Sequence, residues 1–178
     1  MRIIAGEWRG RSITAPAGDA TRPTADRMRE ALFSMLASRL GDFEGLAVAD
    51  LFAGTGALGL EALSRGAARC TFVEQDRAAL AALKGNAERL GAGGRAAIRA
   101  QSATSFVGGP FDLVLLDPPY NKGLGAQALE HLRKIAAVTS ATLLSLETAK
   151  GEPADFPGYV VETDRTYGKA RLLLLRPE

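Results

Sequence analysis

Asp50-Leu51-Phe52-Ala53-Gly54-Thr55-Gly56-Ala57-Leu58-Gly59 is the stretch that decides the fold. The apolar run Ala47–Leu51 reads as a buried strand, and the apolar spacing of Ala57–Arg65 reads as a helix. A glycine-rich turn between strand and helix is where a parallel α/β sheet binds ligands, at the carboxyl ends of its strands. Glycines let the backbone pass close to a ligand, and the free amides of a helix start favour an anionic group.

Outward from this turn the same alternation continues. Cys70–Glu74, Ala96–Ala100, Leu113–Asp117 and Thr142–Glu147 read as further short apolar strands, and Arg77–Leu90 and Gly125–Val138 as helices. Gly158–Thr163 and Ala170–Leu175, joined through Tyr167-Gly168, read as an antiparallel hairpin on the sheet edge. The expected fold is therefore α/β and Rossmann-like, a seven-stranded, mostly parallel sheet with a C-terminal antiparallel hairpin. Residues 1–44 form a small N-terminal extension, and residues 45–178 the main domain. Within the extension, Arg2–Gly6 and Arg11–Ala15 are β-like pieces around Trp8-Arg9-Gly10. Met28, Leu32, Met35, Leu36 and Leu40 then recur at helical spacing over Thr24–Leu40, with Arg27 and Arg29 read on the polar face.

Glu74 ends the second strand, where its carboxylate can accept hydrogen bonds from a ribose diol. Gly54-x-Gly56-x-x-Gly59 with Glu74 also satisfies the dinucleotide fingerprint, so an NAD-binding oxidoreductase stands beside an S-adenosylmethionine enzyme as a reading. Asp50 favours the second: an acidic side chain at the strand end attracts an ammonium group and repels a pyrophosphate.

Asp117-Pro118-Pro119-Tyr120 ends the fourth strand, which neighbours the first in a doubly wound sheet and so opens into the same crevice. These residue types suit the chemistry of a conjugated amino group. Such a nitrogen is a poor nucleophile until its lone pair is held out of conjugation. The Asp117 carboxylate and the Pro118 carbonyl can accept its two N–H groups, the prolines fix that carbonyl, and Tyr120 offers a face on which a base can stack. The bland alternative for the tetrapeptide is a turn after a buried strand.

Composition excludes several classes. Hydrophobic residues make up 47% and charged residues 24%, neither disordered nor membrane-embedded in character. The longest apolar runs, such as Leu172–Leu175, fall far short of the roughly 20 residues of a membrane span, and the N-terminal residues lack a secretory apolar region, so a cytoplasmic location is expected. One cysteine, Cys70, excludes an internal disulfide, and with the single His131 it leaves no Cys/His metal site; no metal is expected. Net charge is only +2, but residues 1–40 carry seven Arg against four acidic residues, a local excess suited to phosphate. No long exposed apolar face stands out, so a monomer is expected.

Arg2–Arg11 (RIIAGEWRGR), Arg22–Leu36 (RPTADRMREALFSML), Asp50–Ala67, Val73–Asp76 and the Asp117–Tyr120 tetrapeptide together resemble, over nearly the whole length, the bacterial small-subunit ribosomal RNA guanine-N2 methyltransferases of the RsmD family. The two N-terminal segments are the narrower signature, because the glycine loop and the tetrapeptide recur in many amino-methyltransferases. The resemblance implies a class I S-adenosylmethionine-dependent fold. It also implies methylation of the exocyclic N2 of a guanine in 16S rRNA, nucleotide 966, within the small subunit or an assembly intermediate. S-adenosylhomocysteine would be the product.

Carried over by position, Asp50, Gly54 and Gly56 would bind the methionine end of the cofactor, Glu74 its ribose, and Ser102 with Ala103 would lie by its adenine, with Phe52, Ala53, Thr55, Gln75 and Asp117 also against the cofactor. Ser102 departs from the acidic or amide side chain that such enzymes often place there. Asp117, Pro118, Pro119 and Tyr120 would hold the guanine. Arg9, Arg11, Arg22, Thr24, Arg27 and Lys122 would meet RNA at the mouth of the crevice. Rivals within the chemistry are DNA adenine-N6 and protein glutamine-N5 methyltransferases, and outside it a non-catalytic ribosome-assembly factor.

Overall fold

Short apolar runs that are buried on both faces can pair in parallel only if helices cover both sides of the sheet, and the chain does this. The computed structural model describes residues 1–16 and 23–178, and the backbone alone of Pro23 and Thr24. In chain order the elements are α1 (Pro23–Leu40), β1 (Ala47–Leu51), α2 (Ala57–Ser64), β2 (Arg69–Glu74), α3 (Arg77–Leu90), a 3-10 turn at Gly93–Arg95, β3 (Ala96–Ala100), β4 (Leu113–Leu116), α4 (Leu124–Lys134), β5 (Leu143–Ala149), β6 (Tyr159–Tyr167) and β7 (Ala170–Pro177). The seven-stranded sheet has the order β3-β2-β1-β4-β5-β7-β6. Strands β1 to β5 run parallel, and β7 pairs antiparallel with both β5 and β6. The order reverses between β1 and β4, which opens the ligand crevice at their carboxyl ends.

Alternation along the strands divides the core into two layers. Val48, Phe72, Leu113, Leu115 and Leu143 face α1, α2, α3 and the N-terminal segment, where Ile3, Trp8, Leu32, Phe33, Leu63 and Leu83 pack. Leu51, Val73, Val114, Leu116, Leu144 and Leu146 face α4, through Leu129 and Leu132. Cys70 is a buried member of the first layer, and His131 Nε2 lies 2.7 Å from the Phe106 carbonyl, to which it donates.

The N-terminal segment folds as a hairpin, with an isolated bridge between Arg2 and Ser12 and hydrogen bonds donated by the Ile3 amide to Arg11 O (2.9 Å) and by the Ile13 amide to Met1 O (2.7 Å). It is stitched to α2 by a buried carboxylate: Glu61 accepts from the amides of Ile4 (2.9 Å) and Ala5 (3.1 Å) and from Arg65 Nε (2.9 Å). Trp8 packs in the core rather than standing free to stack, with the Arg95 guanidinium 5.4 Å above its ring.

Three expectations are corrected. Arg29 is not on the polar face of α1, being only 5% exposed and turned toward the sheet with Met28 and Leu32. Helix α4 ends at Lys134 rather than Val138, because Ala136 takes a positive φ of 54° and the chain turns back to the core through Ala137. Strand β5 continues past Glu147 to Ala149, held by its antiparallel partner β7.

Candidate active site

The glycine loop acquires its shape from β1 and α2. Phe52 and Gly54 both have positive φ, 60° and 57°, and Gly56 begins α2 at φ 86°. A Cβ on Gly59 would overlap the Phe72 ring and Cys70 Sγ on β2, so this glycine lets α2 lie close on the sheet. A Cβ on Gly54 would meet nothing within 4 Å, which marks open space beside the backbone there.

Asp50 points away from that space. It is buried beneath the first turn of α2, where its Oδ2 accepts from the Gly59 amide at 2.9 Å. The alternation of β1 places it on the α2 side of the sheet, so its first role is to hold the helix start. Burial pushes its carboxyl up to about 8; the Gly59 amide opposes this shift and the charge of Glu74 adds to it.

Glu74 anchors the other side of the loop. Its Oε1 accepts from Gly54 N (2.8 Å), and its Oε2 from the amides of Gln75 (2.9 Å) and Asp76 (2.8 Å). Asn86, fully buried on α3, donates from Nδ2 to the carbonyls of Thr55 and Thr14, both at 2.9 Å, and so joins the loop to the N-terminal segment.

Two cavities meet at the switch between β1 and β4. The first, about 440 Å³, is lined by Phe52, Glu74, Gln75, Ser102, Ala103, Asp117, Pro118 and Pro119, all expected site residues, together with Asp76 and Gln101. Its described lining carries the carboxylates of Glu74 and Asp76, the carboxyl of Asp117, and no basic side chain. Such a wall attracts a cationic ligand and repels a pyrophosphate. Ser102 spends its hydroxyl locally, 2.9 Å from Thr104 Oγ1, whereas the neighbouring Gln101 brings an amide to the same wall.

The second cavity, about 560 Å³, lies between the ends of β4, β5 and β7 and the first half of α1. Met28, Arg29, Leu32, Asp117, Tyr120 and Glu147 line it, with Tyr167 and Lys169 at the β6–β7 turn. Asp117 belongs to both walls. Because Leu116 is opposite Leu146 in the parallel register, Asp117 and Glu147 are the next residues on adjacent strands and lean to the same side. The Tyr120 hydroxyl donates to Glu147 Oε2 at 3.0 Å. Asp117 is crowded by protein yet reachable from solvent, as a residue on the floor of an open crevice is. Burial first, then the adjacent Glu147 carboxyl, raises its carboxyl well above the usual range. Burial and Glu147 raise the Tyr120 phenol as well.

The expected basic residues divide differently. Arg9 sits at the hairpin turn after Trp8, whose amide donates to Ser64 Oγ (3.0 Å) at the carboxyl end of α2, and Arg11 donates to the Arg89 carbonyl in the last turn of α3. Those are the helix ends away from the crevice, so the hairpin carries both arginines off its mouth. Arg27 is exposed on α1 and Lys122 is exposed in the loop after Tyr120. Arg22 and the side chain of Thr24 lie outside the described residues. Glu147 and Arg29 were missed by reading residue types alone. Strand register would have found the first, and the shared spacing of Ala25, Met28, Arg29 and Leu32 on one helical face the second.

The family described as Conserved hypothetical protein 95 matches residues 1–176. Ribosomal RNA small subunit methyltransferase D of Escherichia coli (strain K12) is 41% identical over 151 residues, which cover 83% of this chain and 74% of that protein. A solved E. coli structure described as a methyltransferase superposes with a TM-score of 0.85 at 32% identity, covering 100% of this chain and 98% of that one. The magnesium protoporphyrin IX methyltransferase of Synechocystis, solved with bound S-adenosylmethionine, superposes with a TM-score of 0.68 at 16% identity, covering 90% and 87%, and bears on the fold alone. The fold is that of the class I methyltransferases. Within that class, the chain belongs to the family of ribosomal RNA small subunit methyltransferase D.

Proposed function

We propose that this chain transfers a methyl group from S-adenosylmethionine to the exocyclic N2 of a guanine in 16S rRNA. The observation that carries the reading is the position of Asp117 in the shared wall of two cavities, one acidic and one lined by Tyr120. A cationic donor and a flat acceptor bound on either side would have their reacting atoms brought together at that residue. The membership of the family and the name of its E. coli relative support ribosomal RNA as the substrate.

The residues present fit the cofactor. The open space beside Gly54 would admit its methionine end, Glu74 would hold its ribose, and Gln101, Ser102 and Ala103 would lie by its adenine. When bound, S-adenosylmethionine supplies a methyl group already activated by a positive sulfur. The chain's own part is positioning. Asp117 and the Pro118 carbonyl accept the N–H groups of the target amine, which frees its lone pair, and Tyr120 stacks on the base. The nitrogen must also shed a proton, and a carboxyl crowded by burial and by Glu147 has raised affinity for one. Arg27 on α1 and Lys122 in the loop after Tyr120, both exposed, are assigned to RNA phosphate, and the working unit is a monomer in the cytoplasm.

Methyl transfer from labelled cofactor to small-subunit particles isolated from a strain lacking the gene tests the reading, with the product nucleotide mapped. N2-methylguanine at a single site is expected, and Asp117→Ala should slow the transfer by at least about 100-fold. Labelled adenine, labelled protein or no label on any particle would overturn the assignment.

A further inference from the structure

The second cavity holds two features that base stacking and amine binding leave unexplained. Glu147 stands beside Asp117 in register and lines the same cavity, so two acceptor groups crowd one wall. Its Oε2 takes the Tyr120 hydroxyl at 3.0 Å, which fixes the carboxylate at the edge of the surface on which a base would stack. Arg29, 5% exposed, lines the same cavity. Its Nη2 bonds to the Arg2 carbonyl and to Asp26 Oδ1, but its Nε and Nη1 are buried without a partner among the described residues. Two acceptors on one wall and a cationic side chain on another suit a ligand with donors and an acceptor along one edge.

Guanine has that order. Along its edge run the N2 amino group, the N1–H donor and the O6 acceptor. Adenine, placed with its amino group in the same position, presents N1 as a bare acceptor next to it. The tetrapeptide Asp117–Tyr120 handles an amino group of either kind, so the choice between the bases falls to whatever meets the next ring position.

We propose that Glu147 selects guanine: its carboxylate accepts the N1–H of the target base while Asp117 holds the adjacent amino group, and the Arg29 cation lies on the O6 side. The inference rests on the reading of the site as a base-amine methyltransferase and names how it chooses the base. An adenine in the same pose sets its N1 lone pair against the Glu147 carboxylate and is rejected by repulsion as well as by the missing bond. Glu147 thereby acts as a specificity residue in contact with substrate, and its bond from Tyr120 keeps it at the right edge of the base.

The test uses small-subunit particles reconstituted with either guanine or 2-aminopurine at the modified position. 2-Aminopurine keeps the exocyclic amino group but has a bare N1 and no O6. The wild-type protein is expected to methylate the guanine particle about 10- to 100-fold faster than the 2-aminopurine particle. Glu147→Gln, whose amide can donate to a bare N1, should lose about tenfold or more on guanine and bring the two rates within about threefold. Glu147→Asp keeps the charge and should keep the preference at a lower rate. Cofactor affinity by calorimetry, unchanged in both variants, shows that the fold and the first cavity are intact.

A wild-type protein indifferent to 2-aminopurine overturns the inference while leaving the proposed function standing, as does a Glu147→Gln protein with the wild-type ratio. Absence of N2-methylguanine with wild-type protein on the guanine particle would instead remove the proposed function itself.

Discussion

Gly54 and Gly59 lie five residues apart and answer different physical demands. At Gly59 the space is taken by Phe72 and Cys70, so an added methyl forces α2 off β2, an overpacking that costs about 1–3 kcal/mol. At Gly54 the space is open, and only the left-handed backbone resists a side chain, at about 1–2 kcal/mol. Gly59→Ala is therefore expected to lower the urea midpoint while the folded fraction still binds S-adenosylmethionine. Gly54→Ala should lose cofactor affinity by more than its stability loss accounts for, because the methyl stands in the ligand's space. Equal affinity in Gly54→Ala and wild type, read by calorimetry, would show that the open space is not the cofactor's.

Asp50 adds a pH signature at the same scale. Its carboxyl rises from an ordinary 3.8 to about 8 in the folded chain. Between those values the folded state holds a proton that the unfolded state has released, so stability falls as pH rises through the window. Asn at this position keeps an acceptor for the Gly59 amide and cannot ionise. The stability of Asp50→Asn relative to wild type should thus grow between about pH 5 and about pH 8, on the order of 1 kcal/mol per pH unit. Urea unfolding at several pH values measures this, and a difference that stays flat across the window would show that Asp50 is not held neutral by burial.

Among the elements, the N-terminal hairpin depends on one buried carboxylate. Glu61 carries the Ile4 and Ala5 amides and the Arg65 guanidinium, so Glu61→Ala strands two donors and a partly buried cation together. The expected loss is about 3–5 kcal/mol by denaturant unfolding, accompanied by early proteolysis near the N-terminus. Helix and strand identities were legible in the sequence because the apolar periods differ, as in Ala47–Leu51 against Arg77–Leu90. The ends were less so: α4 stops where Ala136 turns left-handed, a conformation that its side chain does not signal. The site was legible where it depended on strand ends, since the carboxyl ends of β1 and β4 must meet at the switch. It was not legible where it depended on which neighbour a side chain meets, as for Glu147 across the β4–β5 register, or on which end of α2 the hairpin turns, as for Arg9.

For the molecule as a whole, one sheet serves two core layers. The strands β1, β4, β5 and β7 send alternate side chains into both layers, so neither layer can be lost without the other. Unfolding should then be a single transition. The first cavity lies at the switch between β1 and β4, and a ligand there touches both halves of the sheet, from Glu74 to Pro119. A ligand that binds only the folded chain at about 100 times its Kd stabilises it by about 2.7 kcal/mol. For a chain of this length that corresponds to a rise in Tm of roughly 5–10 °C. S-adenosylhomocysteine should produce this shift, keep one transition and leave its width consistent with the whole sheet melting. NAD at the same excess should produce none, because its pyrophosphate meets the Glu74 and Asp76 carboxylates with no basic side chain among the described lining residues to offset them. A shift with NAD and none with S-adenosylhomocysteine would reassign the cavity to a dinucleotide, and two separate transitions would show that the layers do not melt together.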